Sequence, residues 1–173
     1  ASNKPDARAL ERARAAGVET AVFERDGYRD REARDEAVGD WLAERDIDLV
    51  VLAGYTELMS PRFVERFRNR IVNVHPALLP SFPGLDAVRQ ALDHGVKVTG
   101  VSVHFVDEGV DSGPIILQRA VEVPDSRDRD ALEERIHAVE HELLPRAIRL
   151  IAAGAVRLDE GNPRVVRTER DRG

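Results

Sequence analysis

Asp48-Leu49-Val50-Val51-Leu52-Ala53-Gly54 is a nearly continuous apolar run that is bounded by an acid and a glycine. Such a run is typical of a strand that is covered on both faces, and strands of that kind belong to parallel sheets. The run therefore predicts one strand of a parallel sheet. In open α/β sheets, ligands bind at the carboxyl ends of the parallel strands, so side chains that follow such strands are the first functional candidates.

Helices and strands alternate on both sides of this run. Apolar periodicity and capping signals predict helices over 5–16, 29–45, 60–67, 86–94 and 128–153, the last kinked at Pro145. Strands are predicted over 20–23, 71–74, 98–106 and 114–123, followed by a hairpin over 156–166. In the second helix one buried stripe is expected, formed by Ala33, Ala37, Val38, Trp41 and Leu42. The alternation predicts an α/β fold with an open twisted sheet, parallel first and antiparallel in its C-terminal part.

The composition is that of an ordinary globular domain. The chain has 173 residues, of which 42% are hydrophobic and 34% charged, enough for one domain with its own core. Acids outnumber bases by 32 to 26, and the resulting charge of -6 opposes binding to nucleic acid or to an anionic membrane. There is no cysteine, signal-peptide pattern or membrane-length apolar run, so a cytoplasmic protein with small-molecule partners is expected.

Two polar side chains close the strand predicted over 71–74. In Asn73-Val74-His75-Pro76, strand alternation puts Asn73 and His75 on the same face. An amide donor beside an imidazole suits acyl-type transfer, because one holds a developing oxyanion while the other handles the proton. Taken alone, the tetrapeptide also fits an asparagine that caps a loop and a structural histidine in the core.

A third candidate, Asp111, lies in the glycine-rich turn over 106–114. Acids in such turns commonly bond to nearby backbone amides. If the fold brings Asp111 close to His75, the carboxylate favours the protonated imidazolium that a general acid needs. His75, His104 and Asp111 are also compatible with a metal site, but no His-x-x-x-His spacing joins them.

Three longer stretches resemble the signature of the glycinamide ribonucleotide formyltransferases. They are residues 73–84 (Asn-Val-His-Pro-Ala-Leu-Leu-Pro-Ser-Phe-Pro-Gly), 99–106 (Thr-Gly-Val-Ser-Val-His-Phe-Val) and 111–118 (Asp-Ser-Gly-Pro-Ile-Ile-Leu-Gln). The resemblance runs from Ser2 to about Val166. It implies a Rossmann-like formyltransferase fold and a metal-free step of de novo purine biosynthesis. In that step the amine of glycinamide ribonucleotide attacks the formyl carbon of 10-formyltetrahydrofolate, and tetrahydrofolate leaves.

The resemblance also implies residue roles. Asn73 would hold the formyl oxygen, His75 would be the charged proton donor, and Asp111 would keep His75 protonated and order a water. The implied folate contacts are Arg31, Thr56, Glu57, Leu58, Met59, Asn73, Asp107, Glu108, Gly109, Val110 and Asp111. The implied nucleotide contacts are His137, Ala138, Val139 and Glu140, of which Glu140 would touch the amine or ribose. Family members usually carry Met-Arg where this chain has Thr56-Glu57, so different folate contacts are expected there.

Family sequences begin with a strand, a Gly-Ser-Gly-Ser-Asn phosphate loop, a helix and a second strand, and this chain starts just after them. Residues 1–173 are therefore expected to form a single formyltransferase domain that lacks this β-α-β segment of about 30 residues. The helix over 29–45 is compatible with a homodimer surface.

Other formyl-handling proteins are the alternatives. A formyltetrahydrofolate deformylase typically has His-His-Ser-Phe-Leu-Pro after the asparagine, where this chain has His75-Pro76-Ala77-Leu78-Leu79-Pro80. A methionyl-tRNA formyltransferase would need an RNA-binding domain and a positive surface. A non-catalytic folate-binding module is a further alternative.

Overall fold

The computed structural model describes residues 1–168. The helices are α1 (Arg8–Ala15), α2 (Arg31–Ala43), α3 (Pro61–Arg66), α4 (Ala87–His94) and α5 (Arg129–Ala152). The strands are β1 (Val50–Leu52), β2 (Ile71–His75), β3 (Val98–Phe105), β4 (Ile115–Glu122), β5 (Val156–Leu158) and β6 (Val166–Thr168). None of the helices in this part of the chain is long and apolar enough to cross a membrane.

The first four strands form one mixed sheet in the order β1-β2-β3-β4. β1 and β2 are parallel, whereas β3 is antiparallel to both β2 and β4. β5 and β6 form a separate antiparallel pair. The predicted fold class, parallel first and antiparallel later, is therefore confirmed, as is the C-terminal hairpin. Because β1 and β2 run in the same direction, their carboxyl ends lie at one edge, where Leu52 is opposite Asn73.

Contacts divide the described residues into two compact units, and the sheet belongs to the second, which comprises residues 49–58 and 67–168. Its core lies between α5 and the β3–β4 pair. Four α5 side chains are buried there: Leu132, Ile136, Leu143 and Ala147. Burying a Leu or Ile side chain stabilises a fold by about 1.5–3 kcal/mol. α5 starts where Asp128 accepts the backbone N–H groups of Asp130 and Ala131.

The first unit comprises residues 1–48 and 59–66. The stripe predicted on α2 is wrong, because Ala33, Ala37, Val38, Trp41 and Leu42 are only half-buried, whereas Arg34, Asp35 and Gly39 are buried. The reason is that α2 is held by a buried polar side chain, Asp35, rather than by its apolar residues. Asp35 accepts the backbone N–H of Ser60 at 2.6 Å and lies 3.3 Å from Arg34. Gly39 leaves room for the side chain of Arg66.

Further differences from the predicted elements are local. The strand predicted over 20–23 is only a single bridge between Ser2 and Val22. β1 is not covered on both faces, since Val51 is 36% exposed. Within the described residues it is also an edge strand of the sheet. The first helix begins three residues after Pro5, at Arg8. The kink at Pro145, which lies inside α5, stays a prediction.

Candidate active site

Asn73 and His75 lie in the C-terminal half of β2, at the edge of the sheet where β1 and β2 both end. Asn73 is half-buried and His75 is only 4% exposed. Both side chains reach the same carboxylate, that of Asp111, which comes from the connection between β3 and β4. The fold therefore brings together three residues that lie up to 38 positions apart.

Asp111 is the centre of this cluster. One of its oxygens, Oδ2, lies 3.3 Å from Nδ1 of His75 and accepts the backbone N–H of Gly84 at 2.7 Å. The other, Oδ1, lies 3.4 Å from Nδ2 of Asn73 and 3.5 Å from Nε2 of His104. Its side chain is only 14% exposed. Asp111 thus connects every polar side chain of the cluster.

The second ring nitrogen of His75 faces a backbone oxygen. Nε2 lies 2.8 Å from the carbonyl of Phe82. Both ring nitrogens therefore face oxygen acceptors, and an imidazole donates from both nitrogens only when it is protonated. These two contacts match the two N–H donors that a protonated ring presents. Proton transfer from Nε2 to a bound molecule requires that the bond to Phe82 be exchanged.

His104 is a fourth member of the cluster. It is 2% exposed and pairs across the sheet with Asn73. Its Nδ1 lies 2.8 Å from the carbonyl of Phe105, and its Nε2 lies 3.3 Å from Nδ2 of Asn73. Nε2 of His104 thus lies between the Asn73 amide and Oδ1 of Asp111. His104 therefore restricts where that amide points.

The electrostatics of the cluster keep its carboxyl group ionised. Burial alone raises the pKa of Asp111. The hydrogen bond from His104, the N–H of Gly84 and the charges of His75 and His104 outweigh burial, and the pKa lies below its ordinary value of 3.8. Asp111 is thus a carboxylate at neutral pH, as a partner for a protonated histidine must be.

A buried hydroxyl holds the loop that supplies Phe82 and Gly84. Ser102, on β3, is completely buried. It donates to the carbonyl of Ala77 at 2.7 Å and accepts from Leu79 N–H at 3.0 Å and from Gln118 Nε2 at 2.9 Å. Gln118 also donates to the carbonyl of Leu79 at 2.9 Å. Ser102 and Gln118 therefore bind the loop after β2 to β3 and β4 through Ala77 and Leu79.

The turn that carries Asp111 is fixed by its own bonds. Asp107 accepts the N–H of Gly109 at 3.0 Å and the hydroxyl of Ser112 at 2.7 Å. Gly113 has no room for a side chain, because a Cβ there would collide with the backbone oxygen of Phe105. Asp111 itself has a left-handed backbone with φ of 49°. The conformation of this turn aims the carboxylate of Asp111 at β2.

The remaining predicted contacts lie in four places. Residues 56–58 follow β1 at the same edge of the sheet as Asn73, and Leu58 there is 54% exposed. In the turn over 107–110, Glu108 forms an ion pair with Arg68 at 3.4 Å. Met59 and Arg31 belong to the first unit, where Arg31 begins α2 and is exposed. The folate contacts predicted for these residues stay predictions.

The stretch over 137–140 lies on α5. His137 and Ala138 are exposed, whereas Val139 and Glu140 are half-buried. Burial raises the pKa of Glu140, and the nearby charges of His137 and His141 only partly oppose this. The nucleotide contacts predicted here also stay predictions.

The first unit contains a cavity of about 180 Å³ that is lined by Arg29, Asp35, Ser60, Arg62 and Phe63, among others. It includes none of the clustered residues Asn73, His75 and Asp111. Pockets for drug-sized ligands usually enclose about 300–1,000 Å³. The cavity is therefore too small for a folate. Within residues 1–168, no three His, Asp or Glu side chains are arranged to hold a metal ion.

Comparison with known sequences decides the family. A sequence profile described as formyl transferase matches residues 1–148, which is most of the chain. The chain belongs to the formyl transferase family. The carboxylate cluster thus lies in a fold that other formyl transferases share.

Individual relatives narrow the comparison. This formyl transferase chain is 42% identical over 147 residues to the phosphoribosylglycinamide formyltransferase of Bacillus subtilis, covering 85% of this chain and 75% of the relative. It matches the crystal structure of glycinamide ribonucleotide transformylase 1 from Symbiobacterium toebii with a TM-score of 0.91 and 49% identity, covering 96% of this chain and 77% of that one. A formyltetrahydrofolate deformylase from Pseudomonas syringae gives a TM-score of 0.86 at 26% identity, covering 96% of this chain and 54% of that one.

The role of His104 in the carboxylate cluster of this formyl transferase was missed from sequence, as was the Ser102–Gln118 network. One signal was present. Ser102 and His104 are polar residues two positions apart in the apolar strand Val98–Phe105, and they therefore lie on one face. Sequence could not tell that this face meets Asn73, because that depends on the register between β2 and β3.

Proposed function

We propose that this chain transfers the formyl group of 10-formyltetrahydrofolate to the amine of glycinamide ribonucleotide, a step of purine biosynthesis. The observation that carries the proposal is the Asp111 carboxylate, which lies 3.3 Å from His75 and 3.4 Å from Asn73 in a formyl transferase fold. The relatives named phosphoribosylglycinamide formyltransferase support the substrate.

The reaction forms one bond and breaks one. The amine nitrogen of the nucleotide attacks the formyl carbon, and the bond from that carbon to N10 of the folate breaks. The new amide nitrogen loses one proton, and N10 gains one, so the reaction consumes no net acid or base. The reaction needs no oxidant, reductant or metal. The protein must stabilise the transient oxyanion on the formyl carbon and move the proton.

Asn73 and His75 are the proposed catalytic residues. The amide of Asn73 is a neutral donor, and a protonated His75 is a charged one, so together they stabilise a negative oxygen. Asp111 is the third, because its carboxylate makes loss of the His75 proton to solvent unfavourable. Asp111 also remains more exposed than His75, which allows it to bind a water that relays the proton.

The binding contacts are proposed from family likeness. The folate would lie against Arg31, residues 56–59 and the turn over 107–111. The nucleotide would reach residues 137–140, where Glu140 would bind the amine or ribose. Burial raises the pKa of Glu140, and a hydrogen bond from the amine or the ribose would recover part of the cost of burying its carboxylate. Homodimerisation and a cytoplasmic setting stay predictions.

Deformylation of the same folate is the second candidate, favoured by the structural match to the Pseudomonas syringae deformylase. The two reactions differ only in the nucleophile, which is water for deformylation. His75 is followed here by Pro76, where deformylases typically carry a second histidine. A second imidazole that could activate water is therefore missing next to His75.

The test is to follow tetrahydrofolate release by the purified protein with and without glycinamide ribonucleotide. We expect release only when the nucleotide is present, with one formylated nucleotide formed for each tetrahydrofolate. The matched control is the same nucleotide with its amine acetylated, which should support no release. Release with water alone would instead identify a deformylase, and folate binding without turnover would identify a non-catalytic module.

A further inference from the structure

The segment over 82–85 touches both His75 and Asp111 through its backbone. The carbonyl of Phe82 lies 2.8 Å from Nε2 of His75, and the N–H of Gly84 donates to Oδ2 of Asp111 at 2.7 Å. Phe82 and Gly84 both have left-handed backbones, with φ of 55° and 80°. A residue other than glycine keeps such a conformation only where surrounding contacts hold it. The contacts that hold this segment therefore determine the geometry around Asp111 and His75.

Gln90 on α4 holds the middle of the segment. Its Nε2 donates to the carbonyl of Pro83 and to that of Leu85, each at 3.0 Å. One turn later on the same face of α4, the ring of His94 packs edge to face against that of Phe82, with centroids 5.3 Å apart. α4 thus holds the segment through one amide and one ring.

Other contacts hold the chain before and after the segment. Gln118 donates to the carbonyl of Leu79 at 2.9 Å, and Arg129 on α5 pairs with Asp86 at 3.0 Å. The bonds from Gln90 lie closer to the residues that meet the carboxylate cluster, because they flank Gly84 on both sides.

The peptide group between Pro83 and Gly84 transmits the position of Gln90 to Asp111. In a trans peptide group the C=O and the N–H are fixed in one plane and point in opposite directions. Gln90 bonds the carbonyl end of this group, and Asp111 accepts from its N–H end. Hydrogen bonds in such a chain polarise one another, so the bond from Gln90 also strengthens the N–H as a donor. The chain continues from Asp111 to Nδ1 of His75 at 3.3 Å.

The N–H of Gly84 also affects the charge of Asp111. Burial raises the pKa of Asp111, and the hydrogen bond from His104, the N–H of Gly84 and the charges of His75 and His104 outweigh burial. A carboxylate that loses one of its donors binds a proton more readily. Rotation of this peptide away from Asp111 would therefore weaken the carboxylate as a partner of His75.

We infer that Gln90 is a positioning residue for the proposed reaction, which orients the peptide between Pro83 and Gly84 so that its N–H bonds Asp111. Gln90 acts on His75 only through this peptide and Asp111. The inference rests on the proposed function for the effect of Gln90 on turnover. The effect on the peptide needs no substrate.

The test combines amide hydrogen exchange of the substrate-free protein at pH 7, followed by NMR, with turnover measurements. Gln90→Met keeps the length of the side chain without its donors, and Gln90→Glu keeps its shape but offers a carboxylate that only accepts. In both variants the Gly84 amide should exchange about 10-fold faster or more, because two hydrogen bonds are lost. The value of kcat should fall about 10-fold or more, since a misplacement of about 1 Å costs up to about 100-fold.

Arg89→Met is the matched control. Arg89 is the exposed neighbour of Gln90 on α4 and pairs with Asp93 at 3.5 Å, so its loss should change neither the exchange of the Gly84 amide nor kcat. Each variant should still melt cooperatively, because Gln90 is only half-buried.

Wild-type exchange of the Gly84 amide in both Gln90 variants would overturn the inference, and so would faster exchange with a wild-type kcat. The exchange measurement uses no substrate. A wild type without transfer activity would therefore refute the proposed function, and the exchange of the Gly84 amide would still decide whether Gln90 orients the peptide.

Discussion

At the residue scale, three buried or half-buried side chains contact one carboxylate, that of Asp111. Asp111 touches His75, Asn73 and His104, and each of these has a second partner that restricts its orientation. The residue types Asn73, His75 and Asp111 could be read from the sequence as candidates. His104 was grouped with His75 and Asp111 only as a possible metal ligand. Its contact with Asn73 could not be foreseen, because it depends on strand register rather than on spacing along the chain.

Asp111→Asn is predicted to destabilise the protein at neutral pH but not in strong acid. The pKa of Asp111 is lower in the folded protein, so its ionised form adds stability above the ordinary value of 3.8. That contribution is lost as pH falls through the lower folded value. We expect a deficit of about 1.5–3 kcal/mol at pH 7, the scale of hydrogen bonds to charged groups.

Thermal melting of wild type and variant between pH 7 and about pH 2 measures this deficit. Asp93→Asn is the matched control, since Asp93 is exposed on α4 and should change stability by less than about 0.5 kcal/mol at every pH. A deficit for Asp111→Asn that stays constant across this range would contradict the proposed ionic role.

At the scale of elements, loops between strands supply Phe82, Gly84 and Asp111 to the site, and the strands determine where these loops begin. Caps and turns were the most readable features, since Ser60 caps α3 through Phe63 N–H and Gly95 ends α4 with a φ of 75°. The prediction failed on α2, where tertiary contacts outweigh the periodicity of the apolar residues. α2 buries Arg34 and Asp35 instead of its apolar stripe, and its anchor, Ser60, lies 25 residues away in the sequence.

Ser102→Ala is predicted to loosen the loop over 76–84 and to weaken the fold. The substitution leaves the buried Leu79 N–H and Ala77 carbonyl without the hydroxyl that they bond. Unpaired buried polar groups cost about 1–3 kcal/mol, so the urea midpoint should fall accordingly. The value of kcat should also fall, because the loop supplies the Phe82 carbonyl that faces His75.

Ser126→Ala provides the comparison for that experiment. Ser126 is exposed and accepts only a long bond of 3.4 Å from Asp128 N–H, so its loss should be nearly neutral. Equal urea midpoints for Ser102→Ala and the wild type would show that the buried network does not hold the loop.

At the scale of the whole molecule, the sheet could be predicted from the sequence, whereas the division into units and the contacts of the site could not. The mixed sheet followed from apolar runs and from the tight Asp107–Gly113 connection, which only an antiparallel pair such as β3–β4 allows. The division into two contact units was not predictable, because it depends on which helices contact each other. From the sequence, the contact between Asp111 and His75 could only be assumed, because the two residues are 36 positions apart along the chain.

The most direct test of the central claim is the turnover of His75→Ala with glycinamide ribonucleotide and 10-formyltetrahydrofolate. Loss of a general acid usually slows an enzyme by about 100-fold or more, so kcat should fall at least that far, while the KM values and the melting cooperativity change little. A variant that transfers the formyl group at the wild-type rate would contradict the account, because the charged imidazole beside Asp111 would then have no part in the reaction.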